Sequence, residues 1–259
     1  MHTIRNAAIL FVILLAAALA APLSPAPARA AETVTLTTAP EGWEPFIIAA
    51  PRQAGRDGIL VEVFREIAKK LGHDFRRVSN PDKQGLMMVR QGRLDAAPKA
   101  REWVSGPERY LWTDGVVTSS DTVLSRNAAP VPFQAPADLK GRTVGIIEGF
   151  KYPKLAAFID NGAIKAVRAA GVADLLSLLM HGKIDCAVVN GPAAKWAIRN
   201  RGDINSDDLV FSRTPLDSAP LRFAFTGGDK WKPFIARFNA ELAEMKKNGR
   251  LSAILSRYQ

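Results

Sequence analysis

Gly92-Arg93-Leu94-Asp95-Ala96-Ala97 and Gly182-Lys183-Ile184-Asp185-Cys186-Ala187 are one phrase written twice, 90 residues apart. Ahead of each copy lies an apolar set at helical spacing: Leu86 and Val89 with the stem of Arg90, then Leu175, Leu178 and Leu179. Behind each copy a short apolar run ends in polar residues, Pro98-Lys99-Ala100-Arg101 in one case and Val188-Val189-Asn190 in the other. Helix, glycine turn, buried strand and polar exit make half of an α/β unit, and ligands bind where such strands end. Two copies at this separation predict two α/β lobes of similar design with their strand ends facing each other. The repeat reaches beyond the phrase, because Asp74 precedes Asp95 by the same 21 residues that separate Ile164 from Asp185.

Working outward, the first 30 residues read as an export signal rather than as structure. Arg5 supplies a basic start, Ala7 to Leu19 an unbroken apolar core, and Ala28-Arg29-Ala30 a small-residue cleavage site after a proline-rich spacer. A membrane anchor is the rival reading, but the run falls short of the roughly 20 residues that a spanning helix needs. No cysteine lies at the cleavage site, so an exported form without a lipid anchor is expected, in the periplasm. The whole chain of 259 residues carries 35 Lys and Arg against 25 Asp and Glu, a net +10. Loss of Arg5 and Arg29 leaves about +8, scattered rather than clustered, which fits a solvated basic surface or an anionic ligand. Export argues against nucleic acid. The single Cys186 rules out an internal disulfide and reads as a packed thiol in a buried strand.

In order, strands are expected over Thr33–Thr38, Asp74–Ser79, Val116–Leu124, Thr143–Ile147, Ala163–Arg168, Leu209–Pro215 and Leu221–Phe225. Helices are expected over Ile59–Leu71, before each copy of the phrase, up to Ile159, over Ala193–Arg199, over Lys232–Asn248 and around Leu251–Leu255. Ala128 to Pro136, rich in Pro and Ala, reads as a boundary between lobes. The last 40 or so residues follow a completed second repeat, so their place is back on the first lobe, which requires two crossings, near Ser125 and Leu221. The expected organisation is therefore a signal at 1–30, lobe I at 31–125 plus 216–259, and lobe II at 126–215, with a hinged cleft between.

At this point the chain resembles the type-3, polar amino-acid class of periplasmic solute-binding proteins of ABC transporters. The resemblance covers nearly all of the mature chain. It rests on Trp43-Glu44-Pro45-Phe46, Gly58-Ile59-Leu60-Val61-Glu62, Gly92-Arg93-Leu94-Asp95-Ala96, Trp112-Thr113-Asp114, Asp138-Leu139-Lys140-Gly141, Gly182-Lys183-Ile184-Asp185 and Lys247-Asn248-Gly249-Arg250-Leu251, in that order. It implies the two-lobed type II periplasmic-binding-protein fold, an α/β architecture in which each lobe is a mixed sheet flanked by helices. It also implies a small-molecule ligand, a membrane permease as partner, a monomer, no cofactor and no catalysis. A dehydratase-like enzyme on the same scaffold, or a subunit that presents its ligand to a sensor kinase, are the alternatives.

The family grips an amino acid at three points, and this chain departs at each. The position of the carboxylate-binding Arg is Gly106, flanked by Arg101 and Arg109; the Ser/Thr of the second-lobe loop gives way to Phe150-Lys151 after Gly149; and the ammonium-pairing Asp is Asn190. Candidate ligand contacts are Lys99, Arg101, Arg109 and Lys151 as an anion site, with Gly149 opening a helix start. Trp43, Phe46, Trp103, Phe150 and Tyr152 are candidates for stacking, Ser119 for hydrogen bonding, and Asn190 completes the set. Aromatic rings more often pack in cores, so Phe46 and Trp103 stand as either. A buried ammonium needs a counter-charge. The ligand is therefore expected to carry net negative charge and no free α-ammonium, or an ammonium met by another acid, with Glu44, Glu102 and Glu148 as candidates. His73 and His181 are isolated, no metal-ligand spacing occurs, and no nucleophile elbow is present, so no catalytic set is expected.

Overall fold

A computed structural model of the chain describes residues 31–49 and 56–258. The expected export signal lies outside them. Ten strands form one sheet: β1 (Thr33–Thr38), β2 (Asp74–Ser79), β3 (Ala96–Ala100), β4 (Tyr110–Trp112), β5 (Val117–Arg126), β6 (Thr143–Ile147), β7 (Lys165–Ala169), β8 (Cys186–Asn190), β9 (Leu209–Phe211) and β10 (Asp217–Thr226). The helices are α1 (Ile59–Lys70), α2 (Asp82–Arg90), α3 (Pro153–Asp160), α4 (Val172–Met180), α5 (Gly191–Arg199), α6 (Lys232–Lys247) and α7 (Arg250–Leu255). The order across the sheet is β2-β1-β3-β10-β5-β8-β6-β7, with β4 on β10 and β9 on β5.

This order is two copies of one half-sheet. In each, three parallel strands (β2-β1-β3 and β7-β6-β8) meet one long antiparallel strand, β10 or β5. The two long strands hold the copies together. Thr118 to Asp121 of β5 lie opposite Pro220 to Asp217 of β10, and beyond that stretch each strand turns to its own half: β5 to β8 over 121–125, β10 to β3 over 221–225. β10 starts four residues earlier than the apolar pattern foretold, because that first stretch pairs with the polar part of β5, and β5 runs two residues further at its far end, where Ser125 and Arg126 pair with β9. The repeated phrase has a structural explanation in both copies. Gly92 and Gly182 take φ of 71° and 65°, a region open to glycine, and close α2 and α4 in the same way. Gly92 N–H donates to Val89 O and Arg93 N–H to Met88 O; Gly182 N–H donates to Leu179 O and Lys183 N–H to Leu178 O. Leu94 and Ile184 then enter the cores.

The Asp of the phrase completes a ladder that the strand itself does not reach. β3 meets β1 only at Ala96 opposite Leu36. One residue earlier, Asp95 Oδ2 accepts from Thr35 N–H (2.8 Å) and from Thr35 Oγ1 (2.6 Å). In the second half Asp185 Oδ2 accepts from Thr143 N–H at 2.7 Å. An acid at this place therefore joins two strands and is not spare for chemistry.

The first half is built on Phe64 of α1, whose ring lies 4.7 Å from Phe223, 5.7 Å from Phe238 and 5.9 Å from Phe75. Full burial of such a ring contributes about 1.5–3 kcal/mol. α6 and α7 return to this core through Phe234, Phe238, Leu242, Leu251 and Ile254. The second half has two smaller cores, one on each sheet face. Val123, Val144, Ile146, Leu155, Cys186 and Val188 fill one; Leu124, Leu175, Leu179, Ile184, Ala187 and Val189 fill the other. Burial pushes the Cys186 thiol up to about 12, with the Asp185 carboxylate adding to the effect.

Candidate functional site

Strand ends from both halves gather around the β5–β10 crossing. β-Strand alternation decides what faces the same way. Val123 and Val188 oppose each other in the second-half core, and one pair further along the same face stand Asp121 and Asn190. Across the crossing Asp121 opposes Asp217, and Ser119 opposes Ala219. The face thus changes from apolar to polar at the point where β5 leaves its own half.

Asn190, 7% exposed, is held from two directions. Its Oδ1 caps α5 by accepting from Ala193 N–H at 3.2 Å. Its amide donates to Ser119 Oγ, and Asp121 stands opposite it across the β5–β8 pair. Asp217 is taken up by Lys154 Nζ at 3.1 Å, which also donates to Leu216 O at 2.8 Å. Tyr152, half-buried at the start of α3, accepts from Ile147 N–H at 3.1 Å. Burial pushes its phenol up to about 12, and the Asp121 charge adds to that. Burial also raises the Asp121 carboxyl above its ordinary value, helped by Asp217 and opposed by the Asn190 amide.

The remaining expected contacts divide by position. Gly149 (φ 78°), Phe150 and Lys151 form an exposed loop after β6, with Phe150 55% exposed. Arg101 and Trp103 follow the end of β3 in a single 3-10 turn, both exposed. Among the described residues no acid lies within 4.0 Å of Arg101 or Lys151, so both are open to an anion. Lys99 is engaged by Asp82, and Arg109 lies 3.7 Å from Glu108 in the next turn. Trp43 is half-buried with its ring 4.8 Å from Phe46. Phe46 is 2% exposed and belongs to the first-half core, so it presents no face to a solute. The structure thus brings Ser119 and Asn190 together, sets Tyr152 within range of the Asp121 charge, keeps Gly149, Phe150 and Lys151 on the exposed loop just ahead of Tyr152, and leaves Arg109 on the exposed turn before β4.

The loop that carries Trp43 is fixed by backbone approach. Gly58 has φ 99°, and a Cβ there would stand 2.6 Å from both Ile47 Cα and Phe46 O. Arg77 supports the same loop from β2, its Nη2 donating to Ile48 O at 2.8 Å and its Nε to Thr38 Oγ1 at 2.8 Å.

Of the three acids named as ammonium partners, Glu102 and Glu148 face a cation, and Glu44 meets a neutral donor. Glu44 Oε2 accepts from Trp196 Nε1 at 3.0 Å, Glu102 holds Arg222 at 2.9 Å, and Glu148 lies exposed 3.8 Å from Arg168. The acid beside Asn190 is Asp121, which the sequence reading passed over. Its signal was present: Thr118-Ser119-Ser120-Asp121-Thr122 is five polar residues inside a strand bounded by valines. Trp196 was also missed. From α5 of the second half it enters the first-half core, its ring 5.8 Å from Tyr258, while Arg199 Nη2 donates to Tyr258 O at 2.7 Å. Among the described residues no group of His, Cys, Asp and Glu could hold a metal ion, and no helix is long and apolar enough to cross a membrane.

Among curated protein sequences, none matches the chain. Solved structures do. The GluR0 ligand-binding core in complex with L-glutamate is 16% identical, covering 89% of this chain and 99% of its own, with a TM-score of 0.68. A histidine kinase sensor domain with similarity to periplasmic binding proteins is 23% identical, covering 88% and 96%, with a TM-score of 0.67. The second substrate-binding domain of an amino-acid ABC transporter protein from Streptococcus pneumoniae is 22% identical, covering 87% and 99%, with a TM-score of 0.64. These likenesses establish the fold, the two-lobed type II periplasmic-binding-protein architecture. A family model of bacterial extracellular solute-binding proteins, family 3, matches residues 36–259. With its doubled half-sheet and polar crossing, the chain belongs to that family, whose members here are binding proteins rather than enzymes.

Proposed function

We propose that this protein captures a small polar solute, an amino acid or a related organic acid, between its two halves and delivers it to the membrane permease of an ABC transporter. It does so in the periplasm as a monomer, after removal of residues 1–30. The halves act as lobes, 31–125 with 216–259 and 126–215, hinged at the β5–β10 crossing. The observation that carries this reading is the polar cluster of Ser119, Asp121, Tyr152 and Asn190 at that crossing, where the face that buries Val123 and Val188 in the second-half core turns polar. Arg101 and Lys151, on loops that follow β3 and β6, supply unengaged positive charge for a carboxylate from opposite halves. Contacts from both halves form together only when the lobes approach, so solute binding favours closure.

A thermal-shift screen over amino acids, organic acids and small peptides tests the reading. Specific stabilisation by one class supports capture. Turnover of the stabilising compound would make the protein an enzyme instead. A second reading, the input unit of a sensor system, is favoured by the likeness to a histidine kinase sensor domain. Copurification with a permease or with a membrane-bound kinase separates the two.

A further inference from the structure

We propose that Asp121 is a ligand contact, its carboxylate receiving a protonated amine of the solute, so that the solute class is amino acids or amines rather than nitrogen-free acids. The inference rests on the solute-binding reading above and assigns its counter-charge.

The doubled fold points to this assignment. β10 occupies in the first half the place that β5 occupies in the second, and β3 the place of β8. The position matching Asp121 opposite Asn190 is Leu221 opposite Ala100, and both of those are buried among apolar residues. The same backbone position is therefore satisfied by a leucine. Nothing in the architecture calls for an acid at 121.

Charge balance points the same way. Every element around Asp121 offers it a neutral or a negative group. β8 presents the Asn190 amide, β10 presents Asp217, and the start of α3 presents Tyr152, whose oxygen already accepts from Ile147 N–H. Lys154, the lysine that α3 brings to Asp217, is committed to that acid and to Leu216 O. No Lys, Arg or His nitrogen among the described residues lies within 4.0 Å of the Asp121 carboxylate. A half-buried carboxylate that faces a neutral amide and a second acid is destabilising until a cation arrives. Groups left unsatisfied in this way are found where a ligand completes them. Asn190 supplies geometry without charge, and Asp121, its cross-strand partner, supplies the charge.

The experiment compares wild type with Asp121→Asn, which keeps the shape and an acceptor for the Asn190 amide. Both are screened by thermal shift, then calorimetry, against the twenty L-amino acids and the 2-oxo acids that match them. In wild type, an amino acid is expected to bind at least tenfold more tightly than its 2-oxo counterpart, and Asp121→Asn is expected to remove at least tenfold of that affinity. Without solute, Asp121→Asn is expected to melt higher than wild type. Because the folded carboxyl titrates above its unfolded value near 3.9, the native state binds the extra proton between those two values, and wild type loses stability as pH rises through that window. The melting gap is therefore expected to widen from about pH 4 upward. Equal amino-acid affinity in the two proteins, equal binding of the 2-oxo acid by wild type, or a lower melting point for Asp121→Asn without solute each overturns the assignment. Binding to wild type by none of these compounds overturns this assignment, and binding by none of a wider set that adds amines, other organic acids and small peptides overturns the solute-binding reading itself.

Discussion

Replacing Asp95 by alanine should cost more stability than replacing Asp185, although both occupy the same place in the repeated phrase. Asp95 Oδ2 is the acceptor for two donors, the Thr35 N–H and the Thr35 hydroxyl, and that residue is 6% exposed. The hydroxyl in turn accepts from Asp95 N–H at 2.9 Å. Truncation leaves a buried backbone donor with no partner and breaks a second charge-assisted bond. A buried donor left unsatisfied costs about 1–3 kcal/mol, so Asp95→Ala is expected to lose about 2–4 kcal/mol. Asp185 Oδ2 serves one donor, Thr143 N–H, on a residue that is half-buried and so within reach of water. Asp185→Ala is expected to lose about 1–2 kcal/mol. Asn at either place keeps one acceptor and should fall between wild type and alanine. Urea unfolding at neutral pH, followed by circular dichroism, reads the difference as a change in midpoint at constant slope. Equal losses, or the larger loss at Asp185, would refute the view that these acids act by completing the strand ladder.

Three further outcomes follow from the same contacts. Trp43→Ala is expected to weaken solute binding by about 1–3 kcal/mol in calorimetry while barely moving the melting point; a large loss of stability at unchanged affinity would place Trp43 in the core alone. Trp196→Ala is expected to cost about 3–5 kcal/mol in urea unfolding, since it empties a site in the first-half core and breaks the indole bond to Glu44; a loss below about 1 kcal/mol would contradict the contact. The Cys186 thiol, fully buried and held protonated, is expected to react with a thiol reagent at about pH 8 only after unfolding, and stoichiometric labelling of the native protein would refute that packing.

Much of the fold was legible because its signals are local. The glycine that closes a helix, the leucine or isoleucine that enters a core and the Asp that ties the next strand all lie within six residues, so the phrase betrayed both half-sheets. The apolar stripe of α1 and the late return of α6 were readable for the same reason. The site was less legible, because its members meet through register. Asp121, Asn190 and Asp217 are far apart in the chain and become neighbours only once β5 is paired with β8 on one edge and β10 on the other. Apolar periodicity locates cores and passes over a polar stretch inside a strand. Phe46 shows the converse: a loop flanked by prolines suits a stacking ring, but the backbone approach at Gly58 turns that ring inward. Trp196 sits on a helix whose pattern announces burial without saying against which half.

Closure of the two halves on a solute about the β5–β10 crossing is the step on which the proposed function turns. Small-angle X-ray scattering tests it most directly, on the full mature chain with and without a saturating amount of whichever amino acid, organic acid or small peptide most raises its melting point. A smaller radius of gyration with the compound present is the predicted result. An unchanged radius, at a concentration where calorimetry shows the site to be full, would contradict it.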